Sequence, residues 1–74
     1  SLGLAPLVIE QIFQSIRQIV DSMGVTVVLV EQNAMGALKI ADYGVVLNLG
    51  KIAASGKASD LIADPAVRTA YLGF

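Results

Sequence analysis

The sequence predicts an α/β fold, and three observations point to it. An amphipathic helical period fills the first third of the chain. A nearly continuous apolar, β-branched run, Val25-Thr26-Val27-Val28-Leu29-Val30, follows it. A second apolar–turn–apolar pattern and two short helical segments close the chain. The predicted order is α-β-α-ββ-α-α in one small domain over residues 1–74.

The first helix begins at Pro6, whose missing N–H costs nothing in a first turn. Ile9, Ile12, Phe13, Ile16, Ile19, Val20 and Met23 recur at spacings of three and four and predict one core-facing stripe. Glu10, Gln11, Gln14, Arg17, Gln18 and Asp21 take the other face. The helix spans about 17 residues, roughly 26 Å, and Gly24 is placed to end it in the left-handed conformation. The run Val25–Val30 does not alternate with polar residues, so it reads as a parallel-type strand covered on both faces. Asn33 is the predicted N-cap of a second helix with the narrow stripe Ala34, Ala37, Leu38, Ala41, ended by Asp42-Tyr43-Gly44. Val45–Leu49 and Ile52–Gly56 form a hairpin, with Gly50 supplying a positive φ at the turn. A short helix over Asp60–Ala63, capped near Ser59, and another over Ala66–Leu72, with Pro65 in its first turn and Gly73 as terminator, complete the reading.

Composition excludes several functions. With 55% hydrophobic and 15% charged residues the chain is not intrinsically disordered. It has no Cys and no His, which removes disulfides, thiolate nucleophiles, the usual neutral-pH base and the commonest metal ligand. The net charge of −1, the scattered Lys39, Lys51, Lys57 and Arg68, and the dispersed aromatics Phe13, Tyr43, Tyr71 and Phe74 argue against a nucleic-acid partner. Charged or polar residues interrupt every apolar run short of a membrane span, and the N-terminus has no basic leader. Glu31 and Asp42 end different elements and read as solvated acids. A domain this small buries only roughly 60% of its unfolded surface. A strand covered on both faces needs parallel neighbours, and the chain offers at most one. It is therefore expected to be part of a larger α/β domain, or to bury that strand by self-association.

The run VTVVLVEQNAMGALKIADYGVVLNLGKIAASG, followed by LIADPAVRTAYLG, resembles the C-terminal part of ABC-transporter ATP-binding subunits, especially those of branched-chain amino-acid importers. The opening SLGLAP is similar to their D-loop segment, and Tyr71-Leu72-Gly73 to their closing residues. The resemblance implies a partial P-loop NTPase domain whose parent uses ATP and Mg²⁺ to drive amino-acid import. It implies a dimer of ATP-binding subunits, docked on membrane-spanning permease subunits at the cytoplasmic face. It places Gln32 at the switch position, where most of the superfamily has a His touching the γ-phosphate, and Leu2, Gly3, Leu4 and Ala5 in the D-loop at the dimer interface. Many superfamily members have Asp where Ala5 stands here, so a carboxylate role across that interface is not expected. The phosphate loop G-x-x-x-x-G-K-[ST] is absent, since neither Gly50-Lys51 nor Gly56-Lys57 is followed by Ser or Thr. The 74 residues alone are thus expected to bind no nucleotide and hydrolyse no ATP. The competing expectation is a non-enzymatic module that self-associates through its apolar strand. Tyr71, Leu72 and Phe74 fit either a cover for the core or a subunit interface.

Overall fold

The computed structural model describes residues 3–73. Helix α1 (Pro6–Met23) is followed by an irregular segment, then helix α2 (Ala34–Ile40), strands β1 (Tyr43–Asn48) and β2 (Lys51–Lys57), helix α3 (Ala58–Ala63), a single turn α4 (Pro65–Val67) and a π-helical turn over Arg68–Leu72. Both predicted ends of α1 hold. Pro6 opens it, and Gly24 closes it at φ +66°, its N–H donating to the Val20 carbonyl. Asn33 caps α2 by accepting a hydrogen bond from the Gly36 N–H at 3.1 Å.

β1 and β2 form an antiparallel hairpin, the two-stranded sheet of the described residues. Its register runs from Tyr43 opposite Lys57 to Asn48 opposite Lys51, with Ala53 as the extra residue of a bulge. The two-residue turn has positive φ at both Leu49 (+53°) and Gly50 (+76°), the hand that matches the strands' twist. The requirement at Gly50 was legible in the sequence. The one at Leu49, a γ-branched residue 95% exposed in the left-handed region, was not.

The core is Leu38, Ala58, Leu61 and Val67, with Ala41, Ala54, Ile62, Tyr71 and Leu72 packed around it. It therefore joins α2, α3 and α4 to one face of the hairpin. Gly44 makes this approach possible: a Cβ there would stand 2.5 Å from Leu38 Cδ2 and 2.9 Å from Leu61 Cδ1. Tyr71 and Leu72 are half-buried covers of this core, while Phe74 lies outside the described residues. Phe13 is buried separately, between α1 and α2, over Gly36.

Several expectations need correction. The segment Val25–Val30 forms no strand; it runs unpaired, with Val28 87% and Val30 93% exposed. The physical reason is the one that made it conspicuous: no parallel neighbour among the described residues offers hydrogen bonds to it. The α1 stripe is only half used. Ile9, Phe13, Ile16 and Val20 turn inward, whereas Ile12, Ile19 and Met23 stay exposed because α2 is too short to cover both rows. Tyr43 and Gly44 belong to β1 rather than to the end of α2. Ser59 lies inside α3, whose N-terminus follows β2 directly without a side-chain cap. The final predicted helix is split at Val67 into α4 and the π-helical turn, closed by Gly73 at φ +85°. Asp64 is the joint between α3 and α4. Its N–H donates to the Leu61 carbonyl, and its carboxylate accepts from the Ala66 and Val67 N–H groups at 2.8 and 3.4 Å.

Arg17 holds α1 against the end of α2. Its Nη1 donates to the Ile40 carbonyl at 2.8 Å and to Asp42 at 3.1 Å, while Nε and Nη2 donate to Asp21 at 3.1 and 2.6 Å. Asp42 is thus an ion-pair partner, not only a solvated acid. The hydrogen bonds that Arg17 donates to Asp21 and then to Asp42 hold its guanidinium above its usual range, and the same contact holds the Asp21 carboxyl below its ordinary value. A carboxyl depressed in the folded state contributes stability above its unfolded pKa and loses it as pH falls through the folded value.

Two outcomes follow from this packing. Gly44→Ala should lower the unfolding free energy by about 1–3 kcal/mol, the range for overpacking a filled core, as read from urea denaturation. Asp21→Asn should flatten the acid-side fall of the urea midpoint, because the group whose protonation breaks the Arg17 contact is gone. A midpoint that falls equally steeply in the variant would assign the acid sensitivity elsewhere.

Candidate functional site

The predicted switch residue sits in a turn built by its neighbours. Glu31 Oε1 accepts a hydrogen bond from the Asn33 N–H at 3.1 Å, and Asn33 in turn caps α2 through Gly36. The chain therefore bends tightly around Gln32, whose side chain is exposed at the tip. An amide there offers two N–H donors and one carbonyl acceptor and has no charge to lose with pH. That suits orienting a water or binding a phosphate oxygen. The short helix behind it, capped by Asn33, leaves Gln32 on a fixed base, not on a free loop.

Two hollows flank this turn. One, of about 660 Å³, is lined by Pro6, Ile9, Phe13, Asn33 and Gly36 among others. It brings the start of α1, directly after the predicted D-loop residues, alongside the residue that follows Gln32. Gly3, at φ +86°, and Leu4 and Ala5 lead into α1, with Ala5 at its N-cap and contributing no side-chain hydrogen bond. Leu2 lies outside the described residues. The second hollow, of about 840 Å³, is a groove with Val25–Gln32 on one side, β1 on the other, and Ile16, Val20 and Ala37 at its floor. Gln32 is among its lining residues, most of which are apolar.

Glu31 is the site residue that sequence reasoning undervalued. Its signal was present: an acid two residues before an N-cap Asn can reach forward, accept from that Asn's backbone N–H and close the turn. Among the described residues no three acids or other metal-ligating side chains gather, and no helix is long and apolar enough to cross a membrane.

Comparison with known proteins defines the class. No protein-family model matches the chain. Along nearly its whole length, however, it is related in sequence to the ATP-binding proteins of ABC transporters. It is 53% identical over 73 residues to the high-affinity branched-chain amino acid transport ATP-binding protein BraG of Pseudomonas aeruginosa, covering 99% of this chain and 31% of that protein. It is 39% identical over 59 residues to a probable branched-chain amino acid transport ATP-binding protein, LivF, of Archaeoglobus fulgidus, covering 80% of this chain and 25% of that one. A lipopolysaccharide export system ATP-binding protein, LptB, of Acidithiobacillus ferridurans matches at 30% over 71 residues, 96% of this chain and 29% of its own. The chain thus spans between a quarter and a third of the length of these curated relatives.

Replacing Glu31 by Ala removes the acceptor that closes the turn. The Asn33 amide proton should then exchange several-fold faster with solvent while the β1–β2 amides keep their protection, as read by hydrogen-exchange NMR. An unchanged Asn33 rate would show that the cap alone shapes the turn.

Proposed function

We propose that this chain is the C-terminal part of the ATP-binding subunit of an ABC importer that couples ATP binding and hydrolysis to uptake of branched-chain amino acids. The observation that carries the reading is the 53% identity with a protein named for that transport, across almost every residue of the chain. The lower likeness to a lipopolysaccharide exporter's subunit favours the importer branch.

In this reading Gln32 is the switch residue, held out by Glu31 and Asn33, and its amide donates to the γ-phosphate or orients the attacking water. The segment Gly3–Ala5, with Leu2 before it, is the D-loop facing a second ATP-binding subunit. ATP and Mg²⁺ are held mainly by residues of the subunit outside these 74. The subunit works at the cytoplasmic face of the membrane against permease subunits, and no amino-acid site belongs to this chain. The groove supports an incomplete sheet. In this reading a strand from the rest of the subunit lies in the groove that Val25–Val30 and β1 line. By itself the chain is an inactive, self-associating module, a second reading that the bareness of Val28 and Val30 favours.

In the whole subunit Gln32→Ala should lower ATP turnover at least about tenfold, somewhat less than loss of a preorganised oxyanion donor typically costs, with the thermal midpoint unchanged. The 74-residue chain titrated with Mg-ATP should show no heat of binding. Unaltered turnover in the variant would remove Gln32 from the mechanism, and nucleotide binding by the short chain would overturn the division of labour.

A further inference from the structure

In the proposed reading Gln32 acts through a neutral amide at the end of a flexible stem. Ordering such a side chain costs rotamer entropy. An amide has no charge to draw a phosphate from a distance, so its hydrogen bond depends on alignment and weakens steeply once bent. The backbone beneath the side chain therefore has to be held, and contacts within this chain hold it. Glu31 Oε1 accepts from the Asn33 N–H at 3.1 Å, so one carboxylate bridges the residue before Gln32 to the residue after it. Asn33 Oδ1 accepts from the Gly36 N–H at 3.1 Å, and the Asn33 carbonyl accepts from the Ala37 N–H at 3.0 Å. These bonds tie the far side of the turn to α2. The buried Phe13 backs that helix from α1, so closely that a Cβ on Gly36 would stand 2.8 Å from its ring.

We propose that Glu31 is a positioning residue for Gln32 in the whole subunit: its carboxylate locks the turn so that the amide is already aimed when nucleotide arrives. The proposal rests on the switch reading of Gln32 and adds the residue through which that switch is aimed. The chemistry of Glu31 fits this role better than a direct one. A carboxylate facing a phosphate would repel it, whereas this one is turned onto the Asn33 N–H. The Glu31 contact is also separable from the rest of the frame. The Asn33 cap, the first turn of α2 and the Phe13 packing are made by other atoms, so its loss frees the turn around Gln32 and leaves the helix behind it standing. An interaction that aims a group for the chemical step lowers kcat when removed and leaves the KM for Mg-ATP in place.

The test follows steady-state ATP turnover by the whole subunit. Glu31→Ala should lower kcat about three- to tenfold, the range for one hydrogen bond, with the KM for Mg-ATP unchanged. Glu31→Gln keeps an acceptor oxygen at the same reach and should regain most of that loss. In a Gln32→Ala background, Glu31→Ala should lower kcat by less than about twofold more, because nothing is left to aim. Unchanged kcat in Glu31→Ala, a Glu31→Gln variant as slow as Glu31→Ala, or the full further loss on top of Gln32→Ala would each overturn the proposal. The Gln32→Ala subunit keeps the two readings apart. Full turnover in that variant sinks the switch reading and this proposal with it, whereas slow turnover there beside a normal Glu31→Ala sinks this proposal alone.

Discussion

A strand is stable only when the N–H and C=O groups on both its edges find partners, and that constraint organises this molecule. The hairpin meets half of it, pairing β1 with β2 and leaving one edge of each open. Val25–Val30 meets none of it, although its composition is the most strand-like in the chain. Among the described residues the backbone of that run pairs with no strand, so its apolar side chains are not packed into layers from both sides. The groove beside β1 follows from this, and so does the restriction of the true core to the α2–α3–α4 corner.

Local features persist where the sheet does not. Caps, turns and ion pairs act over a few residues and do not need the neighbouring strands. Asn33 therefore caps its helix, Glu31 closes its turn, and Gln32 is presented as it is, whether or not a strand lies beside it. The Arg17 contacts reach across 23 and 25 residues, but they too join elements wholly inside the chain. The turn around Gln32 is thus built by residues of this chain, whereas the groove beside β1 is left open by the described residues.

What the residues disclosed beforehand follows the same division. Pro6, Gly24, Asn33, Gly50 and Gly73 each carry a local backbone requirement, and each stands where it was expected. The strand over Val25–Val30 was read from composition, which reports the environment a segment prefers and cannot tell whether that environment is present. Leu49 escaped notice because nothing in a leucine signals a left-handed turn; the hairpin's length imposes it. The Arg17–Asp42 pair was hidden because it depends on how α1 crosses α2, a tertiary relation with no periodic trace in the sequence. Gln32 was singled out through family likeness, since its own chemistry is also that of an ordinary polar residue before an N-cap.

The joint at Asp64 has a consequence for the end of the chain. One residue closes α3 with its amide and opens α4 with its carboxylate, so the two helical segments meet with no connector between them. Such a corner has no slack. The angle at which Val67, Tyr71 and Leu72 return onto Leu38 and Leu61 is decided by a single residue rather than averaged over a tether, so Pro65–Gly73 swing as one stiff arm or not at all.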